Sequence, residues 1–365
     1  MTSLAIFHDY FAIRGGGEKL VLTLANSLGA RLVYGYRTND SYPLVDFPPS
    51  RRTLGLPSVL LRPGIRPLSL AARFAAHQSA ARSFDVRIFS GVAAPFAAPA
   101  KSCGGVNIFY CHTPPRFLFD QRSYYLGGAG RLKNQVASAF EWLYRRAVNR
   151  MHVVVTNSET TRARIRTYLG LDSIVVHPPI DTDRFTWRGQ GDYFLSTARL
   201  SSLKRVDRII DAFLQMPDKR LIVASGGEDL ELLKTKAAGA SNIKLLGWVD
   251  DEQLIELVGH AIATIYVPRE EDFGMSPVES LAAGKPVIGV AEGGLLETIT
   301  EKTGILINPG FSTHDLVAAV IDMTPQSAER MRKNCEERAQ HFREEKFLTG
   351  MRRIVETARA ARRGG

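Results

Sequence analysis

A stretch of charged and small residues, Arg269–Pro286, has the composition of an anion-binding site. Ser276 and Glu279 have the spacing of a capping box, with proline at the first helical position, which predicts a helix with Ser276 as its N-cap. Backbone amides at such a helix start favour a phosphate, and Gly274 lets a ligand approach closely. Glu271 has no capping partner in this pattern, so its carboxylate is free to accept sugar hydroxyls. A solvated acidic loop and a plain helix cap are the alternatives.

Two cations in the segment Ser196–Asp207 suit a diphosphate. A predicted strand ends near Arg199, and Lys204 opens the next predicted helix, so both side chains can project from the carboxyl edge of a sheet. Arginine can bind two phosphate oxygens at once, whereas lysine supplies a point charge. By residue type alone, two surface charges are the alternative interpretation.

A histidine and a run of glycines mark the first half of the chain. His112 follows the predicted strand Val106–Tyr110 and precedes two prolines, which places it on a rigid loop. A structural histidine is the alternative. The glycines at 15–17 lie between a strand and a helix, although they depart from the G-x-G-x-x-G fingerprint of dinucleotide sites. Cys111 adjoins His112, but adjacent strand residues point to opposite faces, which argues against a nucleophile pair.

Short apolar runs alternate with helical stretches along the chain, which is typical of parallel α/β layers. We therefore predict an α/β fold of two Rossmann-like, doubly wound domains joined by a linker at 177–191, with ligands in a cleft between strand carboxyl ends. Helices are predicted to begin near Glu18, Lys204, Glu228, Asp251, Pro277, Gly294, Thr313 and Glu344. The predicted strands are Leu4–His8, Arg31–Tyr34, Val86–Ser90, Val106–Tyr110, His152–Thr156, Ile174–Val176, Tyr193–Thr197, Arg220–Ala224, Ile243–Leu246, Ala263–Val267, Pro286–Val290 and Ile305–Ile307.

The positive charge is concentrated in the first half. The net charge is +10, and residues 1–186 hold 23 lysines and arginines against 11 acids. The window 51–150 alone holds 15 against 3. Such asymmetry indicates an anionic partner: nucleic acid, an anionic membrane face or a phosphorylated substrate. A solvated, arginine-rich surface is the alternative.

Length and composition limit the class of protein. A chain of 365 residues that is 45% hydrophobic predicts two globular domains. We see no apolar stretch long enough to span a bilayer and no secretory signal, so the cytoplasm is the expected compartment. The three cysteines form no C-x-x-C pair, which argues against a disulfide framework and a structural zinc site.

Taken together, these motifs resemble glycosyltransferase family 4, the retaining sugar-nucleotide transferases of the GT-B architecture. The resemblance covers nearly the whole chain. The segments Gly16–Lys19 and His112–Arg116 further resemble the mannosyltransferases of bacterial exopolysaccharide and O-antigen synthesis, which usually take GDP-mannose. The residues that match the family's motifs are Gly15, Gly16, Gly17, His112, Arg199, Lys204, Glu271 and Glu279.

The resemblance implies a role for each motif. Arg199 and Lys204 neutralise the donor diphosphate, so no metal or other cofactor is expected. Glu279 accepts from the ribose hydroxyls. The expected catalytic residues are Glu271, which holds the hydroxyls of the donor sugar, and His112, which contacts the transferred sugar at its cationic anomeric centre. The other expected donor contacts are Gly16, Gly17, Val249, Phe273, Gly274, Met275 and Ser276.

The same resemblance implies the domain roles. Residues 1–180 are expected to bind the acceptor, residues 181–344 the nucleotide sugar, and residues 345–365 to form a helix that returns to the N-terminal domain. The Asp181–Asp183 segment imitates an Asp-x-Asp metal motif, but it falls in the linker and is not expected to bind metal. In the implied mechanism, the leaving diphosphate takes the acceptor proton on the same face of the sugar.

A lipid-linked saccharide is the implied acceptor, and it would place the protein on the inner face of the bacterial cytoplasmic membrane. Each lysine or arginine near an anionic leaflet contributes about 1 kcal/mol. The side chains expected at this surface are Arg62, Arg66, Arg73 and Arg82, interspersed with Leu61, Leu68, Leu70 and Phe74.

Other functions stay open from the sequence alone. A UDP-sugar donor, a sugar-nucleotide epimerase and a phosphorylase would fit the same two-domain plan. A nucleic-acid-binding protein would fit the basic half, although that half carries no RNA-recognition or zinc-finger signature.

Overall fold

The computed structural model describes residues 3–62, 64–128 and 130–363. Its internal contacts divide the chain into two compact units. The first unit comprises Met1–His177 with Phe347–Gly365, and the second comprises Pro178–Lys346. Each unit is built around one parallel sheet, as expected for alternating strands and helices.

The described residues of the first unit form a seven-stranded parallel sheet in the order β3-β2-β1-β4-β5-β6-β7. The central strands are buried on both faces, which is why apolar residues dominate their sequences, with Arg87 and Asn107 as buried polar exceptions. Strand bounds are β1 Leu4–His8, β2 Arg31–Tyr34, β3 Arg51–Thr53, β4 Val86–Ser90, β5 Val106–Cys111, β6 Val153–Thr156 and β7 Ile174–Val175.

Two apolar layers cover this sheet, because successive side chains of a strand point to opposite faces. Phe7, Phe89 and Phe109 belong to one layer, and Ile6 and Ile108 belong to the other. The helices of this unit are α1 Gly16–Ser27, α2 Arg66–Ala76, α3 Gln78–Ala81, α4 Arg122–Leu126, α5 Arg131–Val148 and α6 Glu159–Leu169, and the last helix, α14 Glu344–Arg363, joins them from Phe347 onward.

Within the described part of the second unit, six parallel strands follow the order β10-β9-β8-β11-β12-β13. Their bounds are β8 Tyr193–Ser196, β9 Arg220–Val223, β10 Ile243–Leu245, β11 Thr264–Tyr266, β12 Val287–Val290 and β13 Gly304–Ile307. The helices are α7 Val206–Leu214, α8 Leu230–Lys236, α9 Asp251–His260, α10 Met275–Ala282, α11 Leu295–Thr298, α12 Thr313–Asp322 and α13 Pro325–Ala339.

The strand order reverses once in each sheet, between β1 and β4 in the first unit and between β8 and β11 in the second. Such a switch point opens a crevice at the carboxyl ends of the strands, where open α/β sheets bind ligands. His8 and Ser90 end the two strands at the first switch point, and Ser196 and Tyr266 end those at the second.

All the predicted strands are present, and among the described residues one further strand was not predicted. Strand β3, Arg51–Thr53, consists of polar residues that are exposed at the sheet edge, so it lacks the apolar signal of the others. Four helices begin two residues from the predicted start, among them α1 at Gly16 and α8 at Leu230. Helix α7 begins at Val206 instead of Lys204, because Arg205 adopts a left-handed conformation with φ of 53°. Helix α10 begins at Met275, two residues before Pro277.

The surface predicted to face a membrane is partly built into the core. Leu70 and Phe74 are 1% and 0% exposed, so the expectation that they contact lipid is wrong. Arg73 donates two hydrogen bonds to the carbonyl of Leu54, and the Arg66 guanidinium lies 5.0 Å from the centre of the Tyr10 ring. Among the described helices, we find none with both the length and the apolar character needed to cross a bilayer.

Candidate active site

A lysine, a glutamate and a tyrosine form a cluster at the switch point of the second sheet. Lys204 Nζ lies 2.5 Å from Glu271 Oε2 and donates to the Tyr266 hydroxyl at 3.0 Å. That hydroxyl donates in turn to the same glutamate oxygen, at 3.1 Å. The structure therefore brings together Lys204 and Glu271, which were predicted separately, and gives Glu271 a partner that the sequence did not reveal.

The cluster stabilises a charged lysine beside a neutral tyrosine. Burial lowers the pKa of Lys204, but the nearby Tyr266 and Glu271 raise it more, so the net pKa lies above its ordinary value. Burial and the negative charge of Glu271 also raise the pKa of Tyr266. Lys204 is thus a permanent cation at neutral pH.

Arg205, a residue that the sequence reasoning missed, fixes the loop that carries this cluster. Its side chain is 6% exposed and donates to the carbonyls of Val267 at 2.6 Å and Pro268 at 2.5 Å. Its guanidinium also lies 3.7 Å from the Glu292 carboxylate. Because these bonds join the segment after β8 to the segment after β11, they hold Lys204 and Glu271 in register. In sequence, Arg205 looks like a second surface charge beside Lys204.

Two glycines allow another loop to approach Glu271 closely. Gly293 has a φ of 64°, and a Cβ there would lie 2.3 Å from the Glu271 carbonyl oxygen. Gly294 donates its amide to that carbonyl at 2.9 Å, and a Cβ on it would lie 2.4 Å from the Phe273 Cα. The backbone around Glu271 is therefore fixed independently of its side chain.

The helix start after Glu271 differs from the predicted capping box. Gly274 is the N-cap of α10 with a φ of 88°, and among the described residues no side chain caps this helix. The prediction that Ser276 is the N-cap and that Glu279 completes a capping box is therefore wrong. The amides of Met275 and Ser276 lie in the first turn, where an anion is favoured. The Phe273 side chain is a core residue at 2% exposure, which leaves its backbone as the part able to serve a ligand.

Glu279 lies on α10, partly buried, and is free of the capping duty assigned to it. Burial raises its pKa to about 7, the positive charge of Arg184 lowers it, and Asp251 and Asp181 raise it. Arg184 is itself paired with Asp251 at 2.8 Å. A carboxyl group in this setting exchanges its proton near neutral pH, so its readiness to accept hydroxyl hydrogen bonds depends on pH.

We expect nucleotide binding to strengthen as Glu279 ionises. The folded-state pKa is raised above 4.5, so ionised Glu279 opposes folding increasingly as the pH rises toward about 7. A bound ribose would offset that cost by donating to the carboxylate. Calorimetric titration with GDP between about pH 6 and about pH 8 should show affinity rising more steeply in the natural chain than in Glu279→Gln, where the terminal phosphate of GDP still titrates but the side chain does not. The same slope in both proteins would contradict this role.

Arg199 follows β8 and Val249 follows β10, so both lie at the carboxyl edge of the second sheet. The Arg199 side chain is 55% exposed, and its guanidinium lies 3.4 Å from Glu228. In this sheet β9 lies between β8 and β10, the strand that precedes Val249. Asp251, which opens α9 just after Val249, is close enough to Glu279 to affect its pKa. The structure therefore places the Val249 loop near Glu279 and leaves Arg199 as an exposed cation.

Metal-ligating side chains do not gather in the part of the chain that the structure describes, where we find no group of three or more histidines, cysteines and acids placed to hold an ion. Asp183, in the segment that imitates a metal motif, lies 3.8 Å from the Arg343 guanidinium.

In the first unit, His112 and the glycine run lie together. A Cβ on Gly17 would lie 3.5 Å from His112 Cε1, so the glycine leaves open space beside the imidazole. His112 Nε2 lies 2.8 Å from the Ser90 hydroxyl, and the Asn157 side chain donates to the His112 carbonyl at 2.9 Å. Burial lowers the pKa of His112 to about 4, so its ring is neutral at pH 7.

The glycine run forms the start of helix α1. Gly15 is its N-cap, and Gly16 and Gly17 occupy the first turn, whose amides favour an anion. Glu18 was noted only as part of a motif, yet its carboxylate folds back beside Gly15. Burial raises the pKa of Glu18 to about 7, and its own backbone amide lowers it. An acid thus already occupies the helix start at which Gly16 and Gly17 were predicted to bind the donor.

Two parallel-sheet units, each with its charged and polar side chains at a switch point, define the GT-B class of glycosyltransferase fold. Sucrose-phosphate synthase from Thermosynechococcus elongatus matches with a TM-score of 0.76 at 18% identity, over 99% of this chain and 100% of that one. Anabaena HepE in complex with UDP and glucose matches with a TM-score of 0.75 at 17% identity, over 97% and 99% of the two chains.

Two family models match adjoining parts of the chain. Glycosyltransferase Family 4 matches residues 14–184, and Glycosyl transferases group 1 matches residues 179–342. The chain therefore belongs to glycosyltransferase family 4. A curated relative, the alpha-1,3/1,6-mannosyltransferase ALG2 of Dictyostelium discoideum, is 27% identical over an alignment of 277 positions that covers 62% of this chain and 64% of that protein. The match thus spans less than two thirds of the relative's length.

Proposed function

We propose that this chain is a retaining hexosyltransferase that moves mannose from GDP-mannose to a lipid-linked saccharide in bacterial exopolysaccharide or O-antigen synthesis. The observation that carries the proposal is the contact between Lys204 and Glu271 beside the start of α10. A cation, a carboxylate and free helix amides suit a diphosphate joined to a hydroxyl-rich sugar.

Donor binding exchanges the partners of this cluster. The donor diphosphate replaces Glu271 as the partner of Lys204, and the freed carboxylate accepts the hydroxyls of the donor sugar. Arg199, exposed and paired with Glu228, swings to the same diphosphate. These two cations and the amides of Met275 and Ser276 offset the developing charge, so the proposed reaction needs no metal or other cofactor. In the first unit, His112 contacts the transferred sugar.

The likeness to ALG2, named an alpha-1,3/1,6-mannosyltransferase, supports mannose as the transferred sugar. A UDP-sugar is the second candidate donor, because the HepE structure holds UDP and glucose on the same fold. The two donors share the diphosphate and the ribose, which the cluster and Glu279 would bind alike. Discrimination must then come from the base, for which the Val249 loop is the proposed contact.

A thermal-shift panel of GDP, UDP and ADP separates these donors. A nucleotide at one hundred times its dissociation constant adds about 2.7 kcal/mol to the free energy of unfolding. We expect GDP to raise the melting temperature most, with or without EDTA, because the proposed site uses protein cations. A shift with UDP alone would replace the donor, and a shift that requires a divalent ion would contradict the metal-free proposal.

We propose a different apolar surface for membrane attachment from the one predicted. Along α5, Leu132, Val136 and Leu143 share one helical face and are 72%, 42% and 44% exposed. Trp142 is 57% exposed beside them, with the Arg146 guanidinium 4.8 Å from the centre of its ring. We call these four residues and Arg146 the α5 surface. Apolar side chains between cations suit the interface of an anionic bilayer.

Vesicle flotation tests the α5 surface. We expect the natural chain to float with vesicles that contain anionic lipid, and Leu132→Ser with Leu143→Ser to lower recovery at least about tenfold, because each buried leucine contributes about 1.5–3 kcal/mol. Leu232→Ser is the matched control, since that leucine is 67% exposed in the second unit. Equal recovery with neutral and anionic vesicles would contradict the attachment.

A further inference from the structure

A serine hydroxyl links the buried His8 to the partly buried His112 at the switch point of the first sheet. Ser90 Oγ lies 2.8 Å from His112 Nε2 and 3.2 Å from His8 Nδ1. The strand register explains the contact, because His8 ends β1 directly opposite Ser90 at the end of β4. Ser90 and His8 are 1% and 6% exposed, so the hydrogen bond between them is shielded from bulk water, whereas His112 is partly exposed.

Both imidazoles are neutral, which restricts where their protons lie. Burial and the positive charge that His112 would carry lower the pKa of His8 to about 3, and burial lowers that of His112 to about 4. A neutral imidazole has one N–H and one bare nitrogen, and a serine hydroxyl has one proton. Ser90 therefore donates to one histidine and accepts from the other, so the two rings carry their protons on the same nitrogen, either Nδ1 in both or Nε2 in both.

The surroundings of His8 select between these states. The backbone of Ser90 and of Tyr10 lies close enough to the His8 ring to raise its pKa, which burial lowers. A carbonyl can only accept whereas a hydroxyl can do both, so we assign the His8 proton to Nε2, on the backbone side, and the Ser90 proton to the bond with His8 Nδ1. His112 must then donate from Nε2 to Ser90, which leaves its Nδ1 bare.

We propose that Ser90 is a positioning residue that holds His112 in the Nε2–H tautomer, so that Nδ1 accepts a hydroxyl of the transferred sugar. This proposal rests on the role of His112 in the proposed function and specifies it: the transferred sugar must present a hydroxyl donor to this nitrogen.

The backbone on both sides of the link is fixed, as positioning requires. The Asp9 carboxylate accepts from the amides of Val92, Ala93 and Ala94 at 2.7–3.0 Å, which anchors the turn directly after Ser90. Gly91 in that turn has a φ of 108°. On the other side of the ring, a Cβ on Gly17 would lie 3.7 Å from His112 Nδ1, so the bare nitrogen has room for a ligand atom.

Nitrogen NMR of the full chain labelled in histidine tests this assignment directly, since the bare and protonated nitrogens have different shifts. The His112 signals are assigned from their loss in His112→Gln. We expect a bare Nδ1 and a protonated Nε2 in the natural chain, and a mixture of tautomers in Ser90→Ala. We also expect kcat to fall about tenfold in Ser90→Ala with unchanged GDP affinity, because GDP carries no sugar to meet His112. Ser90→Thr, which restores the hydroxyl, should recover both.

Ser173→Ala is the matched control. Ser173 is 4% exposed in the same unit, and its hydroxyl has no hydrogen-bond partner among the described residues, so the change tests loss of a buried hydroxyl alone.

A protonated Nδ1 in the natural chain, or an unchanged tautomer and normal kcat in Ser90→Ala, would overturn the inference. If His112→Gln abolished transfer while Ser90→Ala did not alter it, the proposed function would stand and this inference would fall. If the chain used no nucleotide sugar at all, both the proposed function and the positioning role of Ser90 would be wrong. The tautomer measurement would then test only the hydrogen bonds of Ser90.

Discussion

Glu271→Gln is expected to lower kcat about 100-fold while the chain stays folded. The amide keeps the volume of the side chain but removes the charge that the sugar hydroxyls would use, and a hydrogen bond to a charged group is worth about 1.5–3 kcal/mol. Initial rates of transfer and the melting temperature are the two measurements. A near-normal kcat would show that the donor sugar is not bound by Glu271.

Two comparisons make this result specific. Glu271→Ala should also destabilise the fold, by about 1–3 kcal/mol, because it leaves Lys204 without its carboxylate in a partly buried position. In the sequence Glu271 has no capping partner, and its ion pair with Lys204 could not be foreseen there. Glu336→Gln, which alters an acid paired with Arg332 at 2.8 Å elsewhere in the second unit, should leave kcat unchanged.

Lys204→Met is expected to weaken GDP binding about 10- to 100-fold. The methionine keeps much of the apolar stem and removes the charge that would meet the diphosphate, at a cost of about 1.5–3 kcal/mol. Calorimetric titration measures this loss. The salt dependence of affinity should also become shallower, because one phosphate contact is gone.

The control for Lys204 is a lysine in a similar ion pair. Lys236 Nζ lies 2.8 Å from Asp211, with 31% of its side chain exposed, against 25% for Lys204. Lys236→Met should therefore have a comparable effect on stability and none on GDP affinity. Equal losses of GDP affinity in the two variants would show that Lys204 acts through the fold or the net charge, and the diphosphate would have to be placed elsewhere.

Much of the fold could be predicted because parallel strands buried on both faces have an unmistakable pattern. Val86–Ser90 and Val106–Cys111 are mostly apolar and are buried along their whole length. Strand β3 escaped prediction because its three residues are polar and exposed, so only its pairing with β2 makes it a strand. Periodicity detects burial and gives no information about an edge strand held by backbone bonds alone.

The start of α10 could not be predicted because a local pattern competed with a tertiary contact. Ser276 and Glu279 fit a capping box, but Gly274 adopts a positive φ, and a Cβ on it would lie 2.8 Å from Leu295. That close approach turns the chain two residues earlier than the capping pattern indicates. Sequence spacing cannot show a neighbour on another helix.

The site shows the same limit. Lys204 and Glu271 are 67 residues apart, so their ion pair could not be read from spacing, although each was singled out by residue type. Tyr266 and Ser90 were missed because they end apolar strands and look like core residues. Their signal is positional: each is a polar group at the carboxyl end of a strand beside the switch point, where a ligand is expected.

A crystal structure with bound GDP is the decisive measurement for the donor site. We expect the diphosphate to lie within hydrogen-bonding distance of Lys204 and the amides of Met275 and Ser276, the ribose hydroxyls to donate to Glu279, and no divalent ion to bridge the phosphates. A diphosphate bound away from the Lys204 cluster, or held there through a divalent ion, would contradict this expectation.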